Sequence, residues 1–116
     1  MGETTIWHNP RCSKSRQTLQ ILEERGVEPR VIEYLEEPPS RDELERVLGL
    51  LGIEPAELLR PKEAAYKEAG LGPESSRDEL LDAMVAHPIL IERPVVITAR
   101  GAALGRPPER VLSILD

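Results

Sequence analysis

Alternating runs of apolar and polar residues predict a strand, a helix and a second strand in the first part of the chain. Residues 4–8 (TTIWH) are β-branched and aromatic and run into a turn, which is typical of a strand. Apolar positions then recur at helical spacing over residues 13–25, and Gly26 is placed to end that helix. A second strand is predicted over residues 31–35 (VIEYL). This order is typical of a parallel βαβ unit.

The middle of the chain predicts several helices in series. Two N-terminal capping boxes, Ser40 with Glu43 and Ser76 with Glu79, each precede leucines and valines at helical spacing. A shorter helix is predicted over residues 62–69, between two segments that contain proline and glycine. We therefore expect a helical block between the first and last parts of the chain.

The last part of the chain predicts a β-hairpin followed by a helix. Residues 95–98 (VVIT) are typical of a short buried strand, and a turn at residues 100–101 leads into a weaker strand over residues 102–104. Two prolines then open a final helix that reaches residue 115. The complete order is that of thioredoxin, with helices inserted between its βαβ and ββα halves. The predicted fold class is therefore α/β and thioredoxin-like, with a helical insertion.

Composition limits the classes of protein that the chain can belong to. A length of 116 residues with 40% apolar content suits one hydrophobic core, so we predict a single domain over residues 1–116. Neither a signal peptide nor an apolar run of roughly 18 residues is present, which predicts a cytoplasmic protein without a membrane partner. A net charge of −6 and few aromatic residues argue against a nucleic-acid partner. No metal site is predicted.

Cys12 is the only cysteine, and we predict that it is a reactive thiolate. It lies at the start of the first predicted helix, where free backbone amides, His8 and three flanking basic residues favour the ionised form. The alternative is an inert cysteine buried as a small apolar residue. Residues 8–18 (HNPRCSKSRQT) contain almost nothing apolar that could surround a buried sulfur. The pattern therefore favours a functional cysteine.

The residues that follow Cys12 exclude two well-known cysteine motifs. A protein-phosphatase loop requires an arginine where this chain has Thr18, and a dithiol redox motif requires a second cysteine where it has Ser15. What remains is Cys-x-x-Ser, so any redox cycle needs an external thiol. The same helix N-terminus is also suited to binding an anion.

Five segments spread along nearly the whole chain carry a resemblance to one known family. They are residues 8–16 (HNPRCSKSR), 34–44 (YLEEPPSRDEL), 57–60 (ELLR), 87–96 (HPILIERPVV) and 105–109 (GRPPE). Together they resemble the glutaredoxin-coupled arsenate reductases. Ser13 and Lys14, together with the length, make the chain more similar to the shorter, reductase-like branch of that family.

This resemblance implies both a fold and a reaction. It implies a thioredoxin fold with a helical insertion, and an enzyme that attacks arsenate with a cysteine thiolate and releases arsenite. The implied partners are arsenate or a similar oxyanion, glutaredoxin, and glutathione as a cosubstrate, with no bound cofactor. Position by position, it implies that Cys12 is the nucleophile, that His8 lowers the pKa of Cys12, and that Ser15 supports the thiolate. It assigns the oxyanion to three arginines, whose planar forks suit a tetrahedral anion: Arg60, Arg93 and Arg106.

Two other functions fit the same cysteine motif. A monothiol glutathione-dependent oxidoreductase or deglutathionylase needs only Cys-x-x-Ser, and its arginines would hold glutathione carboxylates. A non-enzymatic regulator similar to Spx shares the fold and binds RNA polymerase. Because Spx-type switching uses two cysteines, Ser15 counts against the redox switch but not against a binding role. Each arginine taken alone also fits a solvated surface residue, and His8 fits a side chain at the end of a strand.

The peptide bond between Arg93 and Pro94 is predicted to be cis. In thioredoxin-like folds, the residue before this strand presents its backbone to the active-site cysteine. Only a bond that precedes proline adopts cis at low cost, and this chain has a proline at that position.

Overall fold

The computed structural model describes residues 3–115. Its strands are β1 (Thr5–Trp7), β2 (Arg30–Ile32), β3 (Val95–Thr98) and β4 (Gly101–Leu104). Its α-helices are α1 (Ser13–Glu24), α2 (Arg41–Leu51), α3 (Pro55–Leu58), α4 (Ala64–Glu68) and α5 (Arg77–Ala86). Two 3-10 helices cover Pro88–Leu90 and Pro108–Ile114. Within these residues, none of the helices has the length and apolar character needed to cross a membrane.

The chain divides into two compact units. The described part of the first unit comprises residues 3–37 and 93–115, and the second unit comprises residues 38–92. The first unit contains all four strands, and the second contains α2 to α5. The second unit is thus the helical insertion that the sequence predicts. That the whole chain behaves as one domain stays a prediction.

A four-stranded mixed sheet forms the first unit, with the strand order β2-β1-β3-β4. Strand β1 is parallel to β2, with Ile6 opposite Val31, and antiparallel to β3, with Ile6 opposite Val96. Strands β3 and β4 form an antiparallel hairpin in which Val96 lies opposite Ala103. The βαβ and ββ parts predicted from the sequence are therefore confirmed, and so is the α/β thioredoxin-like fold class.

The core of the first unit joins the sheet to α1 and to the second 3-10 helix. Its buried members come from each of these elements: Ile6, Leu22, Val96, Val111 and Ile114. Full burial of one such side chain contributes about 1.5–3 kcal/mol. This packing holds α1 against the sheet, so the loop between β1 and α1 has a fixed position at the helix N-terminus.

Capping residues start the two longest helices of the second unit. The Ser76 hydroxyl accepts a hydrogen bond from the Glu79 amide, and the Glu79 carboxylate accepts one from the Ser76 amide, which confirms the predicted capping box of α5. At α2, the Ser40 hydroxyl accepts from the Glu43 amide at 3.2 Å. The Glu43 carboxylate instead pairs with Arg46 at 2.8 Å. The predicted box at α2 is therefore only half formed.

The predicted second strand is shorter in the structure than in the sequence analysis. Strand β2 ends at Ile32, whereas residues 31–35 were expected to be extended. The amides of Glu36 and Glu37 both donate to the Glu33 carbonyl at 2.9 Å, which closes a turn there. Tyr34 lies in this turn with its side chain fully buried. In the sequence, a hydrophobic residue that is buried within a turn cannot be distinguished from one that is buried within a strand.

Two predicted helices also differ from the structure. The C-terminal helix is a 3-10 helix over Pro108–Ile114, with hydrogen bonds such as Arg110 amide to Pro107 carbonyl at 3.0 Å. The Ser113 hydroxyl donates to the Arg110 carbonyl at 3.0 Å and thus competes for a backbone acceptor that an α-helix would use. Helix α4 is shorter than the predicted residues 62–69. Apolar periodicity does not separate 3-10 from α-helical hydrogen bonding in so short a segment.

Candidate active site

Cys12 is the N-cap residue of helix α1, which begins at Ser13. Its backbone is extended, with φ −95° and ψ 123°, and its carbonyl accepts a hydrogen bond from the Arg16 amide at 3.0 Å. Its own amide donates to the Asn9 carbonyl at 3.0 Å. The sulfur therefore lies at the N-terminus of a 12-residue helix, where the first amides have no partner inside the helix.

The pKa of the Cys12 thiol is lower than its ordinary value. Burial raises this pKa, but hydrogen bonds from the Ser15 backbone amide, the Arg93 side chain and the Lys14 backbone amide outweigh the burial, and the charge of Arg93 adds to them. The prediction of a low pKa is confirmed in direction. Its cationic contribution comes from Arg93, which lies far away in the sequence. The flanking basic side chains, from which the sequence predicted this charge, are exposed: Arg11, Lys14 and Arg16.

Arg106 brings a second guanidinium to the same sulfur. Its Nη2 atom donates to Cys12 Sγ across 3.6 Å, and its Nε atom donates to the Arg93 carbonyl at 2.8 Å. Arg106 thus holds the backbone of Arg93 while it contacts the cysteine. The bonds Arg93-Pro94 and Arg106-Pro107 are both cis, which confirms the prediction for the first and adds the second. Two of the arginines implied by the resemblance therefore meet at Cys12.

His8 and Ser15 form a buried hydrogen-bonded pair beside the loop that joins β1 to α1 and contains Cys12. His8 Nδ1 and Ser15 Oγ lie 2.6 Å apart, and the Ser15 hydroxyl also accepts from the Asn9 amide at 3.0 Å. Burial lowers the pKa of His8, the charge of Glu33 opposes this, and the charge of Arg16 adds to it. A neutral imidazole is therefore favoured at neutral pH. Any effect of His8 on the pKa of Cys12 stays a prediction, since its hydrogen bond goes to Ser15.

Asn9 is a site residue that the sequence analysis did not single out. Its amide donates to Ser15 Oγ, its carbonyl accepts from the Cys12 amide, and its side-chain Oδ1 accepts from the Arg11 amide at 3.0 Å. The residue is 5% exposed. The Asn-Pro pair in the sequence indicated only a turn. In the structure, this asparagine fixes the loop on both sides of the nucleophile.

Arg60, the third arginine implied by the resemblance, lies in the second unit between two carboxylates. Its Nη1 atom lies 3.1 Å from Glu92 Oε1, and its Nε atom lies 3.4 Å from Glu63 Oε2. Its backbone amide donates to the Leu90 carbonyl at 2.7 Å. These contacts hold the guanidinium in one place. Its part in binding an oxyanion stays a prediction.

The geometry around Cys12 combines a nucleophile with an anion-binding environment. Helix amides and two guanidiniums surround one sulfur, and charge-assisted contacts of this kind favour both a thiolate and a bound oxyanion. Among residues 3–115, no group of three or more histidine, cysteine, aspartate or glutamate side chains is placed to hold a metal ion. The site is suited to nucleophilic attack on an anion.

Residues 7–114 match the sequence pattern of one protein family, which is described as the ArsC family. The chain belongs to the ArsC family. An Escherichia coli protein named arsenate reductase is 49% identical over 116 residues, which cover 99% of this chain and 82% of the relative. A Neisseria meningitidis protein of the same name is 46% identical, with 99% of this chain and 100% of the relative covered.

Solved structures agree with this family membership. An arsenate reductase from Vibrio cholerae superimposes on this ArsC-family chain with a TM-score of 0.93 and 50% sequence identity, and the match covers 98% of each chain. The match to residues 7–114 includes Cys12 and the three arginines that the resemblance implies. The family resemblance identified from the sequence is therefore confirmed.

Proposed function

We propose that this ArsC-family chain reduces arsenate to arsenite, with Cys12 as the nucleophile and with glutathione and glutaredoxin as external reductants. The observation that carries the proposal is the contact of Arg93 and Arg106 with the Cys12 sulfur. A doubly charged tetrahedral oxyanion is held best by such guanidinium groups. The names of the relatives from Escherichia coli and Neisseria meningitidis support arsenate as the substrate.

The proposed reaction has three steps. In the first, the Cys12 thiolate attacks arsenic, an S–As bond forms, and one arsenate oxygen takes up a proton and leaves as hydroxide or water. In the second, a glutathione thiolate attacks the Cys12 sulfur; an S–S bond forms, and the electron pair of the S–As bond reduces As(V) to As(III), which leaves as arsenite. In the third, glutaredoxin takes the glutathionyl group from Cys12, and a second glutathione regenerates glutaredoxin and leaves as glutathione disulfide.

The residues around Cys12 have separate parts in this proposal. Because the thiolate and arsenate are both anions, Arg93 and Arg106 offset their repulsion and the charge that develops during attack. Arg60 supplies a third guanidinium to the oxyanion. The hydrogen bonds of Ser15 with His8 and with the Asn9 amide hold the loop before α1 against the helix whose first amides face the sulfur. A cytoplasmic location, where glutathione is abundant, fits this requirement for an external thiol.

A steady-state assay with arsenate, glutathione, glutaredoxin and a system that recycles glutathione disulfide tests the proposal. We expect turnover by the wild-type protein and none by Cys12→Ser, because a serine hydroxyl stays protonated and forms no S–As adduct. The matched control is Ser13→Ala, which changes the exposed neighbouring side chain and should keep activity.

The alternative outcomes of this assay identify different functions. If arsenate is not reduced but Cys12 removes glutathione from mixed disulfides, the chain is a monothiol oxidoreductase, and the first proposal is wrong. If both assays fail while Cys12 still titrates as a low-pKa thiolate, neither enzyme proposal holds. A binding role like that of Spx would then be the remaining alternative.

A further inference from the structure

Gly105, the residue before Arg106, lies where no side chain fits. A Cβ atom added at Gly105 would lie 2.6 Å from Pro94 Cγ and 3.1 Å from Thr18 Cγ2, and closer still to Thr18 Oγ1. The other glycines in the described part of the chain have nothing within 4 Å of an added Cβ. The backbone of Gly105 is outside the left-handed region, so the absence of a side chain, and not a special conformation, accounts for glycine here.

One of the two residues that crowd Gly105 belongs to the helix that begins at Cys12. Thr18 is fully buried in α1, and its hydroxyl donates to the Lys14 carbonyl at 2.8 Å. The amide of Lys14 is itself a hydrogen-bond donor to the Cys12 sulfur. Gly105 therefore packs directly against Thr18, which lies one turn after Lys14 on the helix whose first amides face the thiolate.

The other crowding residue adjoins the first arginine of the site. Pro94 follows Arg93, whose side chain donates to the Cys12 sulfur, and the Gly105 amide donates to the Pro94 carbonyl at 2.9 Å. Gly105 is also bonded covalently to Arg106, the second arginine of the site. The three segments that supply donors to Cys12 thus meet at Gly105, where no side chain separates them.

Thr18 also stands where a protein-phosphatase loop would have its arginine. In this chain that position holds a small buried side chain in contact range of Gly105, and the guanidiniums reach the sulfur from residues 93 and 106 instead. The small side chain of Thr18 and the absence of a side chain at Gly105 together allow α1 and the segment of Arg106 to approach each other closely.

We propose that Gly105 is a positioning residue: its missing side chain lets the segments of Arg93 and Arg106 approach α1 closely enough for both guanidiniums to contact Cys12. An added methyl group requires the Thr18 hydroxyl and the Pro94 ring to shift, since distances below 3.0 Å are essentially absent from real Cβ contacts. The Pro94 ring is closed onto its own backbone, so its shift is passed to the segment that carries Arg93. The use of these arginines for the oxyanion rests on the proposed function, whereas their contact with the sulfur does not.

The test is Gly105→Ala, read out by the thiolate absorbance of Cys12 at 240 nm against pH. We expect the midpoint to move upward by about 0.5–1 pH unit, which leaves about threefold to tenfold less thiolate below the midpoint. Alkylation of Cys12 at neutral pH should slow in proportion. The matched control is Gly49→Ala in α2, where an added Cβ meets nothing within 4 Å, and its titration should equal that of the wild type.

A merely structural role predicts a different result. It would lower the Tm of Gly105→Ala while the folded protein kept the wild-type titration, and that outcome overturns the proposal. If the arginines are displaced and arsenate is the substrate, KM for arsenate should rise more than kcat falls. If arsenate is not a substrate, the thiolate titration still decides the question, so failure of the proposed function and failure of this inference are distinguishable.

A second variant covers the case in which Gly105→Ala alone does not fold. Thr18→Ala removes the two threonine atoms that crowd the added Cβ, and the double variant is compared with Thr18→Ala alone. A higher midpoint in the double variant, caused by the remaining contact with Pro94, supports the proposal; equal midpoints overturn it. Failure of both Gly105 variants to fold also overturns it, because the glycine would then serve the fold of the whole unit.

Discussion

The two units of the chain use arginine for different purposes. In the second unit, the arginines of α2 and α5 form ion pairs with carboxylates on exposed helix faces: Arg41 with Asp78 and Asp82, Arg46 with Glu43, and Arg77 with Glu45. In the first unit, Arg106 donates to a backbone carbonyl and to the Cys12 sulfur. The function of an arginine in this chain therefore depends on the group that its guanidinium contacts, which is a carboxylate in α2 and α5 and a thiolate at Arg106.

The energetic consequences of these contacts also differ. An exposed ion pair contributes about 0–1 kcal/mol to stability, because solvent screens it and two long side chains lose freedom. A guanidinium beside a partly buried thiolate changes the protonation state of a nucleophile, so its loss alters reactivity at neutral pH. Mutation of Arg93 or Arg106, which contact Cys12, should therefore change activity. Mutation of an ion-pairing arginine of α2 or α5 should change only stability, and by a small amount.

The largest expected difference is in activity, between variants of the arginines that contact Cys12 and variants of the ion-pairing arginines of α2 and α5. Arg93→Ala or Arg106→Ala should lower kcat/KM for arsenate about 10- to 150-fold, since each removes a charge-assisted contact of about 1.5–3 kcal/mol. Arg93→Lys should restore only part of it, because an ammonium lacks the bidentate fork. Arg77→Ala, the matched control, should keep activity. Equal losses in Arg93→Ala and Arg77→Ala would contradict the comparison.

Arg60 tests whether the division between the units holds for every arginine. In the proposed function it binds the oxyanion, although it lies in the second unit with Glu63 and Glu92 as partners. We expect Arg60→Ala to lower kcat/KM about 10-fold or more while the thiolate titration at 240 nm stays unchanged, because Arg60 is not among the groups that set the pKa of Cys12. Full activity in this variant would place Arg60 with the ion-pairing arginines.

Capping serines of the second unit should affect stability alone. Ser76→Ala removes the hydroxyl that accepts from the Glu79 amide and should lower the free energy of unfolding by about 1 kcal/mol, measured by urea denaturation. Ser40→Ala removes the equivalent hydrogen bond from the Glu43 amide and should cost about the same. The Cys12 titration should not change in either variant. A shifted titration would show that the helical unit sets the reactivity of the thiolate.

The smallest effect is expected in the pH dependence of stability. Because the pKa of Cys12 is lowered in the folded protein, the folded chain binds fewer protons than the unfolded chain between that pKa and about 8.5. The stability of wild type relative to Cys12→Ser should therefore rise with pH through this window, level off above about 8.5, and be lost as pH falls through the folded pKa. Urea denaturation at several pH values measures this difference. An opposite slope would show that burial outweighs the hydrogen bonds.

The lowered pKa of His8 also makes the stability of the protein depend on pH, on the acidic side of neutrality. Since the unfolded histidine takes up a proton more readily than the buried one, stability should decrease as pH falls below about 6.5. His8→Gln, compared with wild type by urea denaturation at several pH values, should show a weaker decrease. An unchanged decrease would assign it to other groups.

Much of this protein was determined by short-range patterns in its sequence. The capping box at Ser76 and the position of Cys12 at a helix start depend on residues three or four apart, whose hydrogen bonds form within one turn. The order of strands and helices likewise predicted the inserted helical unit, because apolar periodicity reports which face of each element is buried. The single cysteine also predicts that any redox cycle at Cys12 needs an external thiol.

Tertiary structure decided which groups surround the thiolate. Nothing local in the sequence distinguishes Arg93 and Arg106 from the other basic residues, since their meeting with Cys12 depends on how β3, β4 and α1 pack in the first unit. The same packing made Gly105 a point of close approach. Local patterns specify elements through bonds between near neighbours, whereas contacts between distant residues form only once those elements have buried their apolar faces against each other.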